Sequence, residues 1–298
     1  MTRFIAHTVA TVAMISAFSV APAHAYVSSG LVFDIDARDA SSFDPQNPTV
    51  WLDISGSNDI GVVYGVSYDE IGNTMDFSGT TGCGTEHIAF GERSFDFSQG
   101  MSIDFSADFR TTDNFERIID FGNGQLSDNI LVSRYGSEDN VALAIYLGGS
   151  SWGAFTTTGN PLSSPGTHHL TVTVDDTHVA HWYVDGIEVP TQFNGASSTD
   201  GQDIIALPQT VSRQFNEIGM SQWCDRDFDG TLDYVRIYER GLTADEVAAN
   251  FANDSISDAI LEDSDNLAST GFDALVPTLL SFAGLVSGVA LRRSRKAH

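Results

Sequence analysis
The chain has 298 residues, 42% of them hydrophobic and 10% aromatic, the composition of one large folded domain or two small ones. Residues 26–270 hold 9 Arg, no Lys and 39 acidic side chains, a net charge of −30. A body this acidic repels nucleic acid and anionic lipid, which argues against DNA- or RNA-binding roles.

Residues 1–25 read as an export signal. Arg3 gives a thin positive start, residues 4–18 are mostly apolar, and Ala23-His24-Ala25 is a small-x-small cleavage site, which places the cut between Ala25 and Tyr26. The apolar part is short and interrupted by His7, Thr8 and Thr11, which argues against a retained spanning helix. Export leads to an oxidising compartment, where Cys83 and Cys224 are expected to form one disulfide. Two cysteines at this spacing do not suggest a zinc site.

From Leu31 to Tyr238 the pattern is one of short strands separated by Gly, Asn, Asp and Ser. In Met101–Arg110, Met101, Ile103, Phe105, Ala107 and Phe109 alternate with polar residues, predicting a strand with one dry and one wet face. Leu170, Val172 and Val174 repeat the pattern, and His178–Val189 reads as two strands turning at Asp185-Gly186. Thr231–Arg240 supplies another strand. Thr243-Ala-Asp-Glu246 is a capping box, predicting one short helix with Val247, Ala248 and Phe251 on one face. Many short strands and almost no helix predict an all-β sandwich. After Asn253 the composition turns acidic and nearly free of aromatics, as in a linker.

Several segments carry a resemblance. Trp51, Asp53, Ser55 and Gly56, then Met75–Gly79, then Thr167–Val189 with its Tyr-Val-Asp-Gly turn, and above all Phe228–Val247 follow one another along the chain. In the last, Gly230, Asp233, Val235, Arg236, Tyr238 and Arg240 keep register. Together these segments resemble the bacterial concanavalin A-like, laminin G-like domains, over about Gly30 to Asn253. The resemblance implies a jelly-roll β-sandwich of two antiparallel sheets. It is nearly silent about ligand, because a fold does not carry a function with it.

The chemistry-bearing motifs are few. Asp225, Asp227 and Asp229 imitate the start of an EF-hand loop, but its twelfth position is Arg236, where a bidentate Glu is needed. A looser calcium site on these three aspartates stays open as a weak reading; no cofactor is required and no metal site is firm. His168, His169, His178 and His181 lie close in sequence, yet His178 and His181 point to opposite faces of a strand, so satisfied strand histidines are favoured over a metal site. Glucanases of this sandwich use a Glu-x-Asp-x-x-Glu strand; no Glu-x-Asp occurs here, and no catalytic residue is assigned. Trp152, Trp182, Tyr183, Trp223 and Tyr146 are the aromatics considered for stacking on a sugar, with Trp152 and Trp223 favoured because loop-like residues surround them.

The C-terminus has three parts. Leu267-Ala268-Ser269-Thr270-Gly271 precedes the uncharged run Ala274–Leu291, and Arg292, Arg293, Arg295 and Lys296 follow it. As a helix the run spans about 27 Å, enough for one transmembrane helix with its basic end on the cytoplasmic side. The pattern resembles a sortase sorting signal of the Leu-Ala-x-Thr-Gly form. That resemblance implies cleavage between Thr270 and Gly271 and transfer of Thr270 to peptidoglycan, with sortase as partner. The competing likeness, an exosortase-type tail, expects Pro-Glu-Pro before the helix, and only Pro277 is present. Residues 26–270 offer no lysine for pilus-type polymerisation, which favours a monomer.

The expected organisation is a signal peptide (1–25), a laminin G-like β-sandwich (26–253), an acidic linker (254–266), the sorting motif (267–271), a transmembrane segment (274–291) and a basic tail (292–298). The expected role is a secreted, wall-anchored binding module for a glycan or a surface protein. A glycan-active enzyme with unrecognised carboxylates and a purely structural, tail-anchored envelope protein are the alternatives.

Overall fold
The structure is a computed structural model that describes residues 26–79, 84–148, 151–195 and 205–255. The expected signal peptide, Cys83 and everything from residue 256 onward, including the expected sorting motif and the apolar run, lie outside the described residues. No described helix is long and apolar enough to cross a membrane.

The strands run in chain order: β1 (Leu31–Asp36), β2 (Val50–Leu52), β3 (Ile60–Tyr64), β4 (Ser67–Asp69), β5 (Thr74–Ser78), β6 (His87–Phe90), β7 (Met101–Phe109), β8 (Arg117–Gly122), β9 (Ile130–Arg134), β10 (Val141–Leu147), β11 (Ser151–Thr157), β12 (His168–Val174), β13 (Ala180–Val184), β14 (Ile187–Val189), β15 (Thr191–Gly195), β16 (Phe215–Ile218) and β17 (Asp229–Tyr238). They form two antiparallel sheets. One has eight strands, in the order β14-β13-β12-β7-β17-β5-β4 with β1 also on β17; the other has nine, in the order β15-β11-β10-β9-β8-β16-β6-β3-β2.

The core lies between the sheets and is built by period-two alternation. Ile103, Phe105, Leu170, Val172, Val235 and Ile237 from the first sheet meet Ile119, Phe121, Val132, Leu143, Ile145 and Phe155 from the second. Trp182 is fully buried here, and its indole N–H donates to the Phe155 carbonyl at 2.9 Å, tying β13 to β11 across the sandwich. That burial removes Trp182 from the stacking candidates. Tyr183 is also buried, in a smaller cluster with Tyr238, Leu242 and Val247 on the other side of the first sheet. The β13–β14 hairpin turns at Asp185 (φ 52°) and Gly186 (φ 74°), the two successive positive φ values a tight hairpin requires.

The expected wet face of β7 is dry. Ser102, Asp104 and Ser106 are buried because residues 244–255 form a helix that packs over this side of the eight-stranded sheet. Thr243 and Glu246 cap it as predicted, with the Thr243 amide donating to Glu246 Oε2 at 2.9 Å and the Glu246 amide to Thr243 Oγ1 at 3.3 Å. Its buried residues are Val247, Asn250 and Asp254, whereas Ala248 is exposed, so part of the inward face is polar. The helix runs past the 253 expected as the domain's end.

That polar choice matches what lies beneath. Arg236 of β17 is fully buried, 2.8 Å from Asp254, 3.3 Å from Asp36 and 3.5 Å from Asp34, and its guanidinium is layered between the rings of Tyr234 (3.9 Å) and Tyr26 (4.1 Å). Tyr26 Oη also donates to Asp34 at 2.5 Å. Asn250 donates to Asp104, and Arg38 pairs with Asp36 and Asp254. The N-terminal residues and the helix thus close one outer face around a paired charge cluster.

Candidate functional site
The other outer face, on the nine-stranded sheet, is open. Val141, Leu143 and Ile145 of β10 point into the core, so Ala142, Ala144 and Tyr146 point out; the same alternation brings Leu131 and Ser133 of β9 and Ala154 of β11 to that surface. Small side chains on three neighbouring strands leave a shallow floor. Around it stand Phe115, Tyr135, Tyr146 and Trp223, and the groove has a volume of about 360 Å³.

One wall is the segment after β16, folded back over β8. Gln222 anchors it: its backbone N–H donates to Asp120 Oδ2 at 2.9 Å and its side-chain amide to the carbonyls of Asp120 and Phe215. Trp223 then stands over the groove against Tyr146, ring centroids 5.4 Å apart, with the Arg117 guanidinium 5.6 Å from its ring. Arg117 reaches Asp225 at 2.7 Å and Ser221 at 3.2 Å. The groove therefore offers aromatic faces beside one fixed cation–carboxylate pair, a mixture suited to a ligand with both apolar and hydroxyl surfaces.

Beneath and beside this wall lies a second group of carboxyls. Asp120 of β8 and Glu217 of β16 are directly opposite one another in the ladder, and both are buried. Asp120 accepts from Asn129 at 3.0 Å and from Gln222. Glu217 Oε2 has no hydrogen-bond partner and lies 3.7 Å from His87 Nε2. Burial pushes Asp120 up to about 6, and burial together with the Asp120 charge pushes Glu217 up to about 7. Burial also lowers His87, so each member of the group is driven toward its uncharged form.

Of the residues singled out in the sequence, Trp223 and Tyr146 are brought together in the groove. Trp152 faces Tyr146 in register across β10 and β11; its side chain lies outside the described residues. Asp225, Asp227 and Asp229 do not converge: Asp225 pairs with Arg117, Asp227 is buried, and Asp229 lies beside Arg110 at 3.5 Å. No group of three or more His, Cys, Asp or Glu able to hold a metal occurs among the described residues. The histidines separate as well. His168 lies against Asp185, His169 against Tyr234 and His181 against Glu188, while His178 takes a positive φ of 70° between strands. Cys224 carries no free thiol. Sequence reasoning missed Arg117, Tyr135, Phe115 and the alanine floor; the signal that locates the floor is the alternation of Val141–Leu147, whose second face is Ala, Ala, Tyr.

A two-sheet antiparallel sandwich with one face sealed and a groove on the other is a lectin-like architecture. The chain belongs to the concanavalin A-like lectin/glucanases superfamily, whose model matches residues 81–248. No curated protein sequence matches the chain. Among solved structures, the chain is similar to the binding domain of botulinum neurotoxin serotype G, with 14% identity, 76% of this chain and 51% of that one covered, and a TM-score of 0.54. It is similar also to the binding domain of botulinum neurotoxin DC, with 10% identity, 76% and 52% covered, and a TM-score of 0.52. A Trypanosoma rangeli sialidase matches with 17% identity, 76% and 33% covered, and a TM-score of 0.49. The chain spans a third of the sialidase and about half of each neurotoxin domain; at these identities the likeness shows the fold alone.

Proposed function
We propose that this chain is an exported module that binds a glycan, without turning it over, in the groove on the outer face of its nine-stranded sheet. The observation that supports this reading is the groove itself: a floor of Ala142, Ala144 and Ala154 bordered by Tyr146 and Trp223, with Arg117 and Asp225 at hand for hydroxyl groups. Asp225 is the one carboxylate among its described lining residues and is tied to Arg117, so the paired acid and nucleophile of glycoside hydrolysis have no second member there. One of the similar structures, the neurotoxin DC binding domain, is in complex with SialylT, which accords with a glycan on this architecture.

Calorimetric titration against a polysaccharide and oligosaccharide panel tests the reading. Saturable binding without product release, weakened about tenfold or more by Trp223→Ala or Tyr146→Ala, is expected. Binding indifferent to both substitutions rejects the groove; binding only to a surface protein rejects the glycan.

The rest of the proposal rests on sequence pattern. Export with cleavage after Ala25, a Cys83–Cys224 disulfide, and sortase transfer of Thr270 to peptidoglycan fit one another as the life of a displayed surface protein. The mass of the C-terminal peptide after muralytic digestion decides the anchor. A terminus at Thr270 bearing a stem fragment supports it, and a chain running to His298 rejects it.

A further inference from the structure
Away from the groove, three residues line up in a way the binding reading does not use. Ser164, exposed in the loop between β11 and β12, places its Oγ 3.1 Å from Nε2 of His168. On the other side of that ring, Nδ1 lies 2.9 Å from Asp185 Oδ2. The His168 side chain is 7% exposed and cannot swing away freely, and Asp185 is held by the positive-φ turn and by the His169 amide, which donates to its Oδ1 at 3.0 Å. None of the three lines the groove.

We infer that Ser164 is an activated nucleophile, with His168 as its general base and Asp185 as the positioning residue, and that it takes the acyl group of small, surface-accessible carboxylic esters. An exposed hydroxyl, a base within hydrogen-bond reach and a carboxylate fixing the base's far nitrogen are the three roles such chemistry needs. Attack forms a bond from Ser164 Oγ to the ester carbonyl carbon while the hydroxyl proton passes to His168 Nε2. Collapse breaks the ester C–O bond, and the departing alcohol takes that proton. Water, deprotonated by the same nitrogen, then releases the acid and restores Ser164.

The geometry also sets the conditions. The Ser164 carbonyl lies 3.0 Å from the same Nε2, so an imidazolium donates to Asp185 on one side and to this carbonyl on the other. The charged groups facing the ring are Asp185 from the turn and Asp108 from β7; the Asp185 hydrogen bond is the largest influence raising His168 above its ordinary 6.5. The proton must leave before Nε2 can accept from the hydroxyl, so reactivity climbs as pH rises through a midpoint above 6.5. Gly166, at φ 107°, has nothing within 4 Å of where a Cβ would stand, which leaves room for the acyl group. Pro165 follows the serine and has no N–H to stabilise an oxyanion, a loss of about 10²–10³ in rate that restricts turnover to esters with good leaving groups, such as aryl acetates.

The test is covalent. The full chain is treated with an alkyl fluorophosphonate across pH 5–9, where Oγ displaces fluoride from phosphorus, and the adduct is located by peptide mass. A single adduct on Ser164 is expected, forming faster with rising pH, absent in Ser164→Ala and slowed about a hundredfold in His168→Gln. Asp185→Asn should slow it and shift the pH midpoint, an effect that a purely structural clasp does not produce. Circular dichroism confirms that the variants are folded, and Ser164→Ala, which changes one exposed side chain, supplies the control if the others are not. Labelling of Ser164 no faster than of neighbouring Ser163, or a rate indifferent to His168→Gln, overturns the inference.

Discussion

Replacing Glu217 by Gln is expected to stabilise the protein, and to do so only where pH ionises the original. The side chain is 10% exposed, its Oε2 accepts no hydrogen bond, and its ladder neighbour is another buried carboxyl, Asp120. In the fold it titrates near 7 against an ordinary 4.5. Between those values the folded chain holds a proton that the unfolded chain has lost, so stability falls as pH rises through this window and the loss is complete above it. One pH unit of difference is worth 1.36 kcal/mol, so the wild type carries a burden of about 3 kcal/mol at pH 8 and under about 1 kcal/mol at pH 5. Gln keeps the shape and has no ionised form. Urea unfolding at both pH values should therefore show Glu217→Gln more stable by about 3 kcal/mol at pH 8 and close to wild type at pH 5. A variant no more stable than wild type at pH 8 would mean that the carboxylate is hydrated or paired there, and the argument from burial would fail.

The other expected outcomes concern the packing. Arg236→Leu leaves Asp34 and Asp104 without their cation and Asp36 and Asp254 with Arg38 alone, and denaturant midpoints should report a loss of about 3–5 kcal/mol. Thr243→Ala removes the reciprocal cap of the helix and should cost about 1 kcal/mol by the same measurement. Gly230→Ala should be poorly tolerated, because a Cβ there would stand 2.0 Å from the Asp108 carbonyl; thermal unfolding checks it. Cys224→Ser removes the proposed Cys83–Cys224 disulfide and should lower stability by about 2–4 kcal/mol, and the wild-type mass under non-reducing conditions should show no free thiol.

Much of the sandwich was legible because strands announce themselves by alternation. Met101–Phe109 shows its apolar face in the sequence, and Asp185-Gly186 shows its turn. What alternation does not reveal is which polar face meets solvent. Asp104 and Ser106 look like surface residues until the helix of residues 244–255 lies on them, and nothing local to β7 announces a contact made from the far end of the chain. The groove was half legible for a related reason. Trp223 and Tyr146 stood out as aromatics, yet Arg117 and Asp225, which give the site its polar end, are 108 residues apart and meet only through the fold. The histidines are the converse case: His168, His169 and His181, neighbours in sequence, find separate partners because their strands and turns aim them in different directions.

The closed face of the sandwich has a consequence for access. Tyr26 and Asp254 both contact Arg236, so the chain enters and the described helix leaves on the side of the eight-stranded sheet. Residues 26 and 255, the outer limits of the described fold, therefore both lie at the back of the domain. The groove on the nine-stranded sheet opens on the opposite side, so a ligand can reach it without passing either of those residues.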